Sequence, residues 1–294
     1  GEIEKTKKLQ EVLMSKNKKY SNEVEVARSY YNSEDADNFY YMVWGGEDLH
    51  LGIYEHENED IFTASRRTID RMASKARKID ENTRIIDLGG GFAGSARHLA
   101  KKYGCQVVVL NLSEAENERG RKMNKEQGLD HLIEVVDGSF DEIPYEDNTF
   151  DIVWSEDAIL HSDNRDKVIS ETTRVLKPGG EFIFTDPMQT DNCDEEVLKP
   201  IYERINLSSL GSPSFYREAC KKYGLKEESF EELAEHLALH YYRVLQETEK
   251  SEPKLDGYVS QEYIDNMKKG LRNWVKGGRE GNLTWGIFHF IKQA

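Results

Sequence analysis

This 294-residue chain has little cysteine, no long apolar run and no excess of positive charge. Each shortage removes a class of protein. Its three cysteines, Cys105, Cys193 and Cys220, are odd in number and far apart. They offer neither a disulfide framework nor metal-ligand spacing, so no metal is expected and a reducing compartment fits. No window reaches the ~18 apolar residues that a membrane-spanning helix needs, so the expectation is a cytoplasmic protein with no membrane partner. The N-terminus is rich in Lys and Glu and lacks the apolar stretch of a secretory signal. Against 55 acidic residues stand 40 basic ones, a formal charge of −15. A field of that sign repels phosphate backbones, so nucleic acid is not an expected partner.

Hydrophobic residues make up 37% of the chain and charged ones 32%, which suits a globular protein with a very polar surface. Residues 1–80 read as an N-terminal helical segment that contributes to the substrate site. Leu9, Val12, Leu13 and Met14 give it one apolar face, Ser33 caps a helix over 35–42, and 61–78 is amphipathic. From residue 84 short apolar runs at 85–88, 107–110, 132–136, 152–154 and 182–184 alternate with helical stretches. That pattern predicts an α/β fold, a doubly wound and mostly parallel sheet, in residues 81–294. Residues 187–235 read as a helical insertion forming a lid, with a turn at 206–214 that either closes over the site or simply joins two helices. Residues 237–246 then read as a strand, 261–270 as a helix and 283–291 as a closing strand.

The most informative stretch is Ile85-Ile86-Asp87-Leu88-Gly89-Gly90-Gly91, with Gly94 after it. An apolar strand runs into an aspartate and then into glycines that let backbone approach a ligand closely. Gly89, Gly91 and Gly94 also spell a dinucleotide fingerprint, so a nicotinamide dehydrogenase is one reading. The neighbouring strand ends argue otherwise. They carry Asn111, then Asp137-Gly138-Ser139, then Ser155-Glu156-Asp157. Polar groups, mostly acids, at four successive strand ends suit a sulfonium and an ammonium better than a pyrophosphate. S-adenosylmethionine has both.

Ile86-Asp87-Leu88-Gly89-Gly90-Gly91, Val136-Asp137-Gly138, Asn148-Thr149-Phe150-Asp151-Ile152-Val153 and Leu176-Lys177-Pro178-Gly179-Gly180 occur in that order. Residues 80–186 thereby resemble the class I S-adenosylmethionine-dependent methyltransferases. The resemblance implies a seven-stranded, Rossmann-like sheet with its last strand antiparallel. It implies cofactor contacts from Tyr31, Asp87, Gly89, Gly90, Gly91 and Asn111. It implies further contacts from Leu112, Asp137, Gly138, Ser139, Ser155 and His161. Family members usually carry an acid where Asn111 stands; asparagine can still bond ribose hydroxyls, without the charge.

The aromatic-rich segment 30–52, with the regions 237–246 and 285–290, is similar to the small-molecule amine branch, the sarcosine/dimethylglycine N-methyltransferases that make glycine betaine. Osmoprotection would follow, and the acidic surface suits it. The tocopherol and phosphoethanolamine methyltransferases share much of the pattern, so another small acceptor (phosphoethanolamine, a phenol or a lipid) is an alternative. A cofactor-binding regulator without turnover is a third. Aromatic faces attract cations; Trp44 and His50, beside Gly45-Gly46, are expected at the acceptor site, whereas Tyr40 and Tyr41 read as packing. An amine arriving protonated must lose its proton, and His161 or His50, with His240 as a third candidate, could take it. Tyr241 and Arg243 would share one face of the expected strand, with Arg243 on the acceptor carboxylate. A homodimer is compatible with the sequence.

Overall fold

The computed structural model describes residues 24, 25, 28, 33–204 and 209–294. The apolar face at 9–14, Tyr31 and the first residues of the 206–214 turn lie outside them. Helix α1 (Glu34–Val43) starts where expected: the Ser33 hydroxyl accepts from the Ala36 N–H at 3.0 Å, and three acids occupy its first turn. Helix α2 (Ile61–Ala73) is capped by Asp60, which accepts from the Thr63 N–H at 2.8 Å.

The sheet begins with β1 (Arg84–Leu88), α3 (Gly94–Tyr103), β2 (Gln106–Asn111), α4 (Glu114–Glu126) and β3 (Ile133–Asp137). It continues with β4 (Phe150–Glu156), α5 (Arg165–Val175) and β5 (Leu176–Thr185). Next come β6 (Met188–Gln189), α6 (Glu195–Arg204), α7 (Pro213–Lys222) and β7 (Leu225–Glu232). The chain closes with α8 (Ala234–Leu255), α9 (Gln261–Arg279), β8 (Leu283–Thr284) and β9 (Gly286–Lys292). The main sheet has seven strands in the order β3-β2-β1-β4-β5-β9-β7, and β9 runs antiparallel to both neighbours. This is the Rossmann-like arrangement expected. Apolar layers cover both sheet faces. On one of them Phe182 opposes Phe290 and Phe184 opposes Phe288 across β5 and β9. Phe230 of β7 extends that row, stacked on Phe288 with 4.1 Å between centroids.

Two late elements differ from expectation. Residues 237–246 are helix α8, not a strand. Leu237, His240, Tyr241, Val244 and Thr248 are all buried, which is a helical period and one helix face. Their aromatic and β-branched content suggests a strand, but the period decides. Tyr241 and Arg243 therefore do not share a face. The missing strand is β7, within the stretch read as helical insertion. It lies at the sheet edge, its Lys226, Glu227 and Glu228 are exposed, and it shows no apolar alternation to read. Among the described residues no helix is long and apolar enough to cross a membrane.

Candidate active site

The carboxyl ends of β1 to β4 open into a cavity of about 240 Å³. One water needs only about 10–15 Å³ of the same measure, so the cavity has room for a ligand much larger than water. Its floor is the glycine loop. Gly89 has φ +76°, and a Cβ there would stand 2.4 Å from the Ala158 Cβ. No side chain fits, and Gly89 and Gly91 present bare backbone to the cavity. Asp87 lies beneath this loop rather than on the cavity wall. Burial, and next the charge of Glu156, lifts its carboxyl well above the ordinary range.

Asn111 is committed to holding the loop. Its Oδ1 accepts from the Gly91 N–H at 3.2 Å, and its amide donates to Glu116 Oε1 at 3.1 Å and Asn117 Oδ1 at 3.0 Å. Glu116 is the acid at this position in space. It is buried on the cavity wall, and its Oε2 has no hydrogen-bond partner among the described residues. Burial lifts its carboxyl to about 8, against the pull of the Asn111 hydrogen bond. A buried carboxyl oxygen without a partner is costly, so a polar ligand group such as a hydroxyl fits there. Leu112 and Ser139 continue the wall. Asp137 stands behind it, accepting from Asn117 at 2.7 Å and Arg121 at 3.1 Å, and Gly138 donates its N–H to the Asn111 carbonyl. Ser155 is also structural: its hydroxyl donates to the Leu88 carbonyl at 2.8 Å and ties β4 to β1.

His50 sits behind the wall as one half of a buried ion pair. Its Nδ1 lies 3.0 Å from Glu156 Oε2, and its Nε2 donates to the Ser65 carbonyl at 2.7 Å. Burial opposes the charge, but Glu156 overrides it and raises the imidazole to about 10. Both nitrogens are engaged, so His50 has no lone pair for an acceptor proton. Glu156, its other oxygen bonded to the Trp154 indole at 2.6 Å, faces the cavity. Asp157 (φ +56°) joins three elements: it accepts from the Leu51 N–H at 2.7 Å and from the Trp285 indole at 2.8 Å. The chain after α1 is thereby fixed across the end of β4. His240 is buried and neutral, its Nδ1 accepting from the Gly52 N–H at 3.1 Å, and it does not line the cavity.

His161 does line it, on a one-turn 3₁₀ helix after β4. Asp186 anchors that turn through the Leu160 N–H at 3.0 Å, and Arg165 through the Leu160 carbonyl at 3.0 Å. Burial, then the cations Arg165 and Arg204, lowers the His161 imidazole to about 4. It is neutral at physiological pH. Around it Tyr40, Trp44, Tyr241 and Trp274 form an aromatic wall. Tyr241 stacks on Trp274 with centroids 5.0 Å apart, and Tyr40 lies 5.4 Å from Trp44. Arg243 points away: it donates to the Glu59 carbonyl at 3.1 Å and to Gln246 at 2.8 Å. The arginine on the wall is Arg204, at the end of α6. The cavity is thus lined by acidic side chains at the strand ends and by the Arg204 guanidinium.

Sequence reasoning passes over Glu116, Trp274 and Arg204. Ser113-x-x-Glu116 does carry a signal, a capping-box spacing. Ser113 accepts from the Glu116 N–H at 3.2 Å, but the glutamate side chain turns to Asn111 and the cavity. Met267, Leu271 and Trp274 share a face of α9 that reads as ordinary core.

Strand order, glycine loop and the acids around it define a class I methyltransferase. The sequence matches the methyltransferase domain family over residues 86–184. It is 56% identical to the sarcosine/dimethylglycine N-methyltransferase of Halorhodospira halochloris, over 92% of this chain and 96% of that one. It is 51% identical to the enzyme of the same name from Aphanothece halophytica, over 90% of this chain and 96% of the relative. The crystal structure of a presumptive sarcosine dimethylglycine methyltransferase from Galdieria sulphuraria superposes with a TM-score of 0.86 at 40% identity, covering 90% of this chain and 99% of that one. The chain belongs to the sarcosine/dimethylglycine N-methyltransferase family, and it is an S-adenosylmethionine-dependent N-methyltransferase.

Proposed function

We propose that this enzyme methylates the amine nitrogen of sarcosine and of dimethylglycine, giving glycine betaine. One observation carries the reading: the wall of Tyr40, Trp44, Tyr241 and Trp274 adjoins Arg204 in a single cavity. An N-methyl amino acid asks for that combination, a cation-tolerant aromatic surface beside a fork-shaped donor for a carboxylate. The names of the relatives point the same way.

S-adenosylmethionine, when bound, supplies an electrophilic methyl on sulfur that the nitrogen lone pair of the acceptor displaces. The glycine loop, supported from beneath by Asp87, would hold its methionine portion by backbone, and Glu156 on the wall would meet its ammonium. Glu116 would accept from the ribose hydroxyls, and Leu112 and Ser139 would flank the adenine. Arg204 would hold the acceptor carboxylate, and the aromatic wall would take the charge that develops on nitrogen. The neutral imidazole of His161 would orient the amine. A conjugate acid near 4 is too strong for it to keep a proton taken from an amine of pKa roughly 10. The acceptor would therefore lose that proton to water, and the charges of Arg204 on the wall and Arg165 behind it would disfavour its return. For dimethylglycine no further proton leaves, because the product is quaternary.

The test is transfer of a labelled methyl group to glycine, sarcosine, dimethylglycine, phosphoethanolamine and a phenol. Label in sarcosine and dimethylglycine, with betaine as the end product, is expected. Label only in phosphoethanolamine or the phenol would overturn the reading.

A further inference from the structure

Helix α9 carries a glycine at residue 270, in the middle of its 19 residues. The position is buried and its φ is not positive, so no turn or left-handed backbone asks for glycine. Mid-helix glycine is less favourable than alanine because it loses more backbone freedom on folding. What occupies the space of a side chain there is Arg204. A Cβ on residue 270 would lie 1.7 Å from the Arg204 Nη1, 2.2 Å from its Cζ and 2.6 Å from its Nε. The guanidinium lies close against the helix at residue 270, its Nη2 3.1 Å from the Met267 sulfur one turn earlier. On one side it borders the reaction cavity. On the other it borders a second pocket, with Glu203, Tyr263 and Asn266 on its walls. A guanidinium pushed off residue 270 therefore has space to move away from the acceptor.

We propose that Gly270 is a specificity-determining position: by lacking a side chain it seats Arg204 on the cavity wall, and so selects acceptors that carry a carboxylate. It acts through Arg204 and touches no substrate. This rests on the reading of Arg204 as the carboxylate partner, and the two can fail separately.

The experiment compares wild type, Gly270→Ala, Arg204→Ala and the double variant, with dimethylglycine and with N,N-dimethylethanolamine, which lacks the carboxylate. Melting temperature and the Kd for S-adenosylhomocysteine are measured alongside. Losing a charge-assisted hydrogen bond corresponds to roughly a tenfold to hundredfold change. Gly270→Ala is expected to raise KM for dimethylglycine by about that factor, with kcat and cofactor affinity little changed. KM for dimethylethanolamine should not move. In the Arg204→Ala background the alanine should add nothing. If Arg204→Ala leaves KM for dimethylglycine unchanged, the carboxylate reading of Arg204 falls. If Arg204→Ala raises it and Gly270→Ala does not, the role of Gly270 falls alone. Should Gly270→Ala fail to fold, the double variant decides: removing the guanidinium clears the space, so it should fold like Arg204→Ala. A double variant as unstable as the single one would overturn the proposal.

Discussion

His50 and Glu156 hold each other charged inside the protein, imidazole Nδ1 to carboxylate Oε2 at 3.0 Å. The pair connects the segment after α1 to the end of β4, directly behind the cavity. Burial works against both charges; their mutual attraction raises the imidazole to about 10 and takes the carboxyl below its ordinary range.

That pair sets a pH dependence of stability. The folded value of His50 lies above the unfolded value near 6.5, so its contribution is complete below that pH and is lost as pH rises through about 10. Glu156 is the reverse case: its contribution holds above about 4.5 and is lost as pH falls through its depressed folded value. Leaving a buried charge without its partner costs about 3–5 kcal/mol, so His50→Gln should destabilise by that order at pH 7. Urea unfolding between pH 6.5 and 10 should show wild type losing its advantage over the variant as pH rises. Parallel curves would remove His50 from the account.

His161 should leave the pH–rate profile alone. With an imidazole lowered to about 4, it is neutral throughout the working range. For dimethylglycine, kcat/KM should climb tenfold per pH unit toward the amine's own pKa, roughly 10. His161→Gln should lower the whole curve and keep its slope. A break near pH 6–7 in wild type that vanishes in His161→Gln would identify it as a titrating base.

Glu116 should discriminate the ribose. Glu116→Gln is expected to weaken S-adenosylhomocysteine by roughly twofold to tenfold, the range for a hydrogen bond between neutral groups, since burial keeps this carboxyl largely protonated at neutral pH. Calorimetry with the 2′-deoxy and 3′-deoxy analogues makes this specific. Wild type should prefer the parent ligand over at least one of them, and the variant should lose that preference. An undiminished preference would mean that Glu116 faces another part of the ligand.

Trp274 should act on the acceptor side. A desolvated cation–π contact contributes up to ~2 kcal/mol, so Trp274→Ala should raise KM for dimethylglycine several-fold to about thirtyfold. The Kd for S-adenosylhomocysteine should stay within about twofold. Equal losses in both, tracking the melting temperature, would make Trp274 a packing residue.

The glycine loop on the cavity floor is legible in the sequence because close backbone approach admits few residue types. The glycines from Gly89 to Gly91, the acid at Asp87 and the polar strand ends all fall at the carboxyl ends of four neighbouring strands. The proposed acceptor half is legible only at Trp44 and Tyr241, which do line the cavity. It is assembled from α1, α6, α8 and α9, where aromatic residues at helical spacing look like core whether or not a ligand touches them. Arg243 looked suitable only while 237–246 was read as a strand; on α8 it faces Glu59 and Gln246. Arg204 carries no local signal at all, since what marks it is the missing side chain of Gly270 on a different helix. Strand β7 was hidden for the opposite reason: an edge strand full of glutamate has too little buried surface to show a period.

The most direct test of the account is a crystal structure of the enzyme with S-adenosylhomocysteine and dimethylglycine bound together. The account predicts the acceptor carboxylate on the Arg204 guanidinium and its nitrogen against Trp44, Tyr241 and Trp274, with the ribose hydroxyls on Glu116. A carboxylate held elsewhere, with Arg204 turned out toward Glu203 and Asn266, would contradict it.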